Sequence, residues 1–193
     1  SSSETGLTEV DTEHDSLLFL PFISQVQENT GIATCLPASS MQQGMLFHEL
    51  LHPESRSFVE TFVWNIQDVT LLDIESYRLS WLFMMAKHDI LRTQMDPSAT
   101  PQASQMVWSI EGILKKIHES EGDGKEEKGD EIQWFQIVDF SSSCGDSEEV
   151  VRGIVQERRD RGINVSDPPL FNIVLILLPS NEASVVFTGH HCL

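Results

Sequence analysis

Two strand-length apolar runs, Phe171–Leu178 and Ser184–His190, stand five residues apart near the end of this 193-residue chain. The segment between them, Pro179-Ser180-Asn181-Glu182-Ala183, has the turn chemistry of a hairpin connection. A buried-looking β-hairpin therefore anchors any fold the chain adopts, and its second strand runs into His190-His191. Histidine is the side chain that takes or gives a proton near neutrality. Two of them at the tip of an apolar strand are a candidate for chemistry. The plainer reading is a hydrogen-bonded histidine at the edge of a core.

Upstream, ordered structure is expected from Cys35-Leu36-Pro37 onward. Ser39 or Ser40 can N-cap a helix with Met41, Met45, Leu46 and Leu50 on one face, which Pro53 terminates. Phe58–Ile66 alternates as a strand does, and Asp73 caps a second helix reaching about Lys87, apolar on most faces and so expected to be buried. Leu91–Met95 and Gln105–Ile110 look like strands joined by a turn around Pro97 and Pro101. Ile132–Phe140 reads as a strand, and Ser147–Arg161 as a helix with Val150, Val151, Ile154 and Val155 inward. Strands interleaved with helices make an α+β layer with a mixed sheet.

The formal charge of −18 is concentrated in two places. Residues 1–15 hold five acids and no lysine or arginine, and residues 119–131 hold seven acids against Lys125 and Lys128. The remainder has an ordinary soluble charge, and no basic surface suited to nucleic acid is evident. The grouping from Arg152 to Arg161 reads as the solvated face and last turn of a helix. Three scattered cysteines make no disulfide framework or zinc knuckle, and no run reaches the roughly 18 apolar residues of a membrane span. These features lead to the expectation of a cytoplasmic protein. Residues 1–34 read as a linker or tail, residues 35–193 as the folded unit, and residues 118–131 as a mobile acidic insertion.

His48-Glu49-Leu50-Leu51-His52 matches the helix signature of zinc hydrolases, in which two histidines one turn apart bind a metal and the glutamate activates water. Pro53 places the second histidine in a fraying last turn, and no third ligand is convincing, so no metal is expected. Arg92 lies at a helix-to-strand junction, either as an exposed charge or as a structural ion pair beneath a site.

Three ordered segments carry a resemblance. Leu36-Pro37-Ala38-Ser39-Ser40-Met41-Gln42-Gln43-Gly44-Met45-Leu46-Phe47-His48 is followed by Lys87–Met95 and then by His190-His191. In this order they resemble the signatures of condensation domains of nonribosomal peptide synthetases, the last being the start of His-His-x-x-x-Asp-Gly. The wording of the first segment is similar to fungal members. Met95 and Lys87 depart mildly from the family's usual residues, and the motif's Asp and Gly would lie beyond Leu193.

The resemblance implies a chloramphenicol-acetyltransferase-like lobe, the N-terminal one of two. It implies an amide-forming acyl transfer in which an upstream carrier-bound acyl or peptidyl thioester meets the amine on a downstream carrier. His191 would be catalytic, with His190 and Arg92 structural at the active site and Arg92 left without the motif's aspartate. No cofactor would be bound directly, the substrates riding on the 4'-phosphopantetheine of carrier domains. The implied partners are the peptidyl carrier domains on either side, the C-terminal lobe and the adenylation domains. Residues 1–34 would follow a carrier domain. Alternatives are an epimerisation domain, a coenzyme-A-dependent acyltransferase of the same superfamily, or a non-catalytic docking or scaffold module, with a zinc hydrolase on the His48–His52 signature as the remotest. The lobe alone is expected to be inactive.

Overall fold

The computed structural model describes residues 31–99, 102–121 and 134–193. The expected linker lies outside these residues up to position 30, and the expected acidic insertion lies outside them from position 122. Among the described residues seven strands form two sheets. The smaller joins β1 (Ile32–Pro37), β4 (Ser104–Trp108) and β3 (Thr93–Asp96) in that order, all antiparallel. The larger has the order β2 (Val59–Ile66), β7 (Glu182–His190), β6 (Phe171–Leu178) and β5 (Phe135–Asp139). Its β5–β6 pair is parallel and the others antiparallel, so the sheet is mixed as expected.

The parallel pair needs a long crossover, which α4 (Ser147–Arg161) provides. Val150, Val151, Ile154 and Val155 of α4 pack on Val174, Ile176, Leu178 and Val186, the face expected from their spacing. The opposite face of the sheet holds the largest core. There Ile173, Leu175, Phe171 and Val185 meet Met85, Tyr77, Trp81 and Leu82 of α2 (Ile74–Lys87) and Ile113 and Ile117 of α3 (Ile110–Glu121). β6 is thus covered on both faces, which is why it reads as a nearly unbroken apolar run. The hairpin connection is shorter than five residues. A 3-10 turn of Pro179–Asn181 suffices because Ser180 and Asn181 take left-handed backbone angles, φ 64° and 59°.

Several expectations are corrected. β1 begins at Ile32, before the boundary expected at Cys35, because its ladder with β4 extends to Trp108. Leu91 sits in a 3-10 turn (Asp89–Arg92) rather than a strand, and Ile110 opens α3. α3 also takes in residues 118–121, where the acidic insertion is expected to begin. α2 is less buried than its composition suggests: only Met85 is fully enclosed, while Leu79, Phe83 and Met84 are exposed. Arg158, expected on a solvated face, is 3% exposed and donates through Nη2 to Gln136 Oε1 of β5. Burial pushes its guanidinium below its ordinary pKa.

Candidate functional site

The two histidines have opposite environments although they adjoin. His190 is 2% exposed and His191 keeps 57% of its side-chain surface. The chain there is fixed by its backbone. His190 N–H donates to the Leu170 carbonyl, His191 N–H to the Phe58 carbonyl, and Leu193 N–H closes a turn onto the His190 carbonyl. Those bonds tie the tip of β7 to the entrances of β2 and β6, so the imidazole of His191 projects from a braced turn.

The brace continues into α1 (Ser40–Leu51). Ser39 caps this helix, accepting from Gln42 N–H while the Gln42 side chain accepts from Ser39 N–H. The expected apolar face packs in its middle and not at its ends. Met41 and Leu50 are exposed, and Leu46, half-buried Met45, Gln42 and Glu49 turn inward. Their spacing of three, four and seven residues puts them on one side of the helix. Gln42 Nε2 donates to the Cys192 carbonyl at 3.0 Å, and Glu49 Oε2 lies 3.1 Å from His190 Nε2. The other ring nitrogen of His190, Nδ1, accepts from Cys192 N–H at 3.1 Å.

Glu49 is visible in the sequence only as part of the zinc-like signature. Its carboxylate faces His190, while His48 lies beside the rings of Phe47 and Phe58 and His52 caps the helix end. Among the described residues no group of three or more histidine, cysteine or acidic side chains is arranged to hold a metal. Gln42 and Glu49 flank Met45 and Leu46 at helical spacing, and that polar-ended stripe is the legible signal for both.

His191 Nε2 stands 3.7 Å from Glu60 Oε1, across an exposed pair of the kind that orients loosely. A neutral imidazole so placed can accept a proton from an approaching amine or donate an N–H to a developing anion. Arg92 is elsewhere: its side chain is 11% exposed, Nη2 meets Asp89 Oδ1 at 2.5 Å and Nη1 donates to the Trp108 carbonyl. Its Nε is buried without an acceptor. The structure therefore joins His190 and the Cys192 carbonyl to α1 and His191 to Phe58 and Glu60 at β2, and does not hydrogen-bond Arg92 to either histidine.

A cleft of about 310 Å³ opens beside this region, lined by Glu54, Ser55, Arg56, Val59, Arg159 and Asp160. Arg56, Ser55 and Val59 also wall the narrow gap at Glu49, Phe58 and His190.

The model of the condensation domain family matches residues 32–193. The chain belongs to the condensation domain family. It is 25% identical to a mycosubtilin synthase protein of Bacillus subtilis over 175 residues, covering 89% of this chain and 6% of that protein. It is 27% identical to a linear gramicidin synthase protein of Brevibacillus parabrevis, covering 84% of this chain and 3% of that one. The starter condensation domain of rhizomide synthetase RzmA superposes with a TM-score of 0.60 at 16% identity, over 83% of this chain and 34% of that domain. The likeness establishes the fold as the α+β, chloramphenicol-acetyltransferase-like architecture of condensation domains. This condensation-family chain spans about a third of that solved domain and a few per cent of the synthases it matches. Among its described residues no helix is long and apolar enough to cross a membrane.

Cys192, next to the histidine pair, is 2% exposed, and burial, aided by the Glu49 charge, pushes its thiol up to about 11. Cys144 is exposed. Iodoacetamide at pH 8 should label Cys144 and spare Cys192 until the protein is denatured, because only the thiolate reacts. Peptide mapping that finds both labelled at equal rates would contradict the enclosed turn. The sign for stability follows from the same burial. Above pH 9 the unfolded thiol ionises while the folded one stays protonated, so this contribution to stability is lost between about 9 and 11.

Proposed function

We propose that residues 32–193 are the N-terminal lobe of a domain that forms amide bonds between carrier-bound substrates. An upstream acyl or peptidyl thioester is the donor, and an amine on a downstream carrier is the acceptor. Both substrates are carried on the 4'-phosphopantetheine of carrier domains, and adenylation domains of the same cytoplasmic synthetase load them. The observation that carries the reading is the division of labour in the histidine pair. His190 is enclosed, hydrogen-bonded at Nδ1 and facing Glu49 at Nε2, whereas His191 is exposed on a turn braced by its backbone. His191 is the group that meets the amine, accepting its proton or stabilising the tetrahedral adduct as it forms. The bond made is C–N and the bond broken is the donor's C–S, with the thiol of the upstream arm as leaving group.

Arg92 is structural in this reading. It is fastened to Asp89 and the Trp108 carbonyl and retains a buried Nε with which to meet the carboxylate of the family motif's aspartate. The solved RzmA domain, of which this chain covers 34%, supports a requirement for a second lobe. Residues 1–193 alone, mixed with loaded donor and acceptor carriers, should give no amide product. The complete domain should give it. Product from residues 1–193 alone would overturn the two-lobe requirement. A complete domain that makes no amide would favour a scaffold role.

A further inference from the structure

The buried contact between α1 and His190 is unused by the chemistry assigned to His191, yet it joins two groups that are seldom enclosed without purpose. His190 Nδ1 is occupied by the Cys192 N–H, so this nitrogen is an acceptor and the ring hydrogen belongs on Nε2. That hydrogen faces Glu49 Oε2 at 3.1 Å, with the glutamate side chain only 22% exposed. The approach is off the ideal line, so the pair stands within reach without a formed hydrogen bond, and both atoms are buried without a hydrogen-bond partner. A small rotation of the ring or of the carboxylate pairs this buried donor with this buried acceptor, and leaving both unpaired is costly.

The ring is also a structural part of the turn. Rotating it would release the Cys192 N–H, and Cys192 is the residue whose carbonyl Gln42 of the same helix holds. The next residue back is His191. A buried imidazole bonded to the turn at Nδ1 and facing α1 at Nε2 thus links the position of α1 to the turn that carries the exposed imidazole beside it.

We propose that Glu49 is a positioning residue for amide formation, accepting the Nε2 hydrogen of His190 and so fixing the ring and the turn that aims His191. This rests on the reading of His191 given above. Carboxylates that orient a metal-bound histidine from behind act in this way, and losing one typically lowers affinity or activity about 10–100-fold.

The test is the rate of amide formation by the complete domain with loaded donor and acceptor carriers, for Glu49→Leu, Glu49→Gln, His191→Ala and the double variant Glu49→Leu/His191→Ala. Glu49→Leu removes the acceptor and should lower kcat by about 10–100-fold while leaving KM for both carriers within about twofold. Glu49→Gln keeps an oxygen facing Nε2 and should stay within about threefold of the wild-type kcat. The double variant should be no slower than His191→Ala, since Glu49 acts through that residue. Should Glu49→Leu fail to melt cooperatively, Glu49→Met keeps the side-chain length without the acceptor and carries the same expectation.

Wild-type kcat in the Leu and Met variants, with a slow His191→Ala, overturns the role of Glu49 alone. Equal losses in the Leu and Gln variants also overturn it, because the retained oxygen should rescue. A wild-type rate in His191→Ala removes both readings together.

Discussion

Replacing His191 by alanine in the complete domain lowers the rate of amide formation by on the order of 100-fold or more, the scale of a lost general acid–base group. The fold should be indifferent to the change. The side chain is 57% exposed, its nearest charged neighbour is the exposed Glu60 at 3.7 Å, and its anchoring bond to Phe58 is made by the backbone. An exposed truncation of this kind shifts stability by about 0.5 kcal/mol or less. The loss should therefore fall on kcat, with an unchanged melting temperature and carrier KM values close to wild type. A wild-type kcat would remove His191 from the mechanism. A collapse of the melting transition would show that the turn depends on this side chain after all.

Phe171→Ala is the largest stability effect expected. Phe171 is 2% exposed and lies between Trp81, at 6.1 Å between ring centroids, and Phe187, stacked at 5.5 Å and 18°. Truncating a buried phenylalanine costs about 3–5 kcal/mol, the lost transfer energy plus the cavity left behind. That is a large share of the roughly 5–15 kcal/mol that holds a typical protein together. The position also matters for the site: Leu170, one residue earlier, supplies the carbonyl that anchors His190 N–H. Urea unfolding of the complete domain, followed by tryptophan fluorescence, should show a clearly lower midpoint. An unchanged midpoint would mean that the aromatic stack across α2, β6 and β7 is not a core.

The parts of the fold legible in the sequence are those where local pattern and burial agree. β6 and β7 are apolar on faces that are in fact covered, and α4 presents its valines and Ile154 at the spacing that packs. α3 carries Ile110, Ile113, Leu114 and Ile117 at helical spacing, and what obscures it is the strand-like run that leads into Ile110 and the acidic stretch into which its last turn merges. β1 is hard to read because its burial is slight: only Cys35 is enclosed. In α2 and in the edge strand β2 the apolar residues outnumber the buried ones. Phe62, Val63 and Trp64 are exposed along β2, where the sheet has no further strand among the described residues. Composition cannot say which apolar face will find a partner, because that depends on what packs there.

The site is legible to the same degree. His191 and His190 stand out as a pair, but nothing local distinguishes the enclosed ring from the free one. The enclosed ring faces Glu49 of α1, about 140 residues earlier in the chain, and the free one stands by Phe58 and Glu60 at β2. The zinc-like spacing of His48, Glu49 and His52 draws attention to the helix whose Glu49 faces the histidine turn. Arg92 does lie at a junction, yet its bonds within the described residues run to Asp89 and Trp108 and not to the histidine turn.

The central claim is amide formation between two carriers, and mass spectrometry of the downstream carrier tests it most directly. After the complete domain is given a loaded donor and a loaded acceptor, the downstream arm should carry the joined acyl-amide and the upstream arm should be a free thiol. The product should fall away in His191→Ala. An unchanged downstream arm, with the upstream residue inverted at its α-carbon or the acyl group passed to coenzyme A instead, would contradict the account.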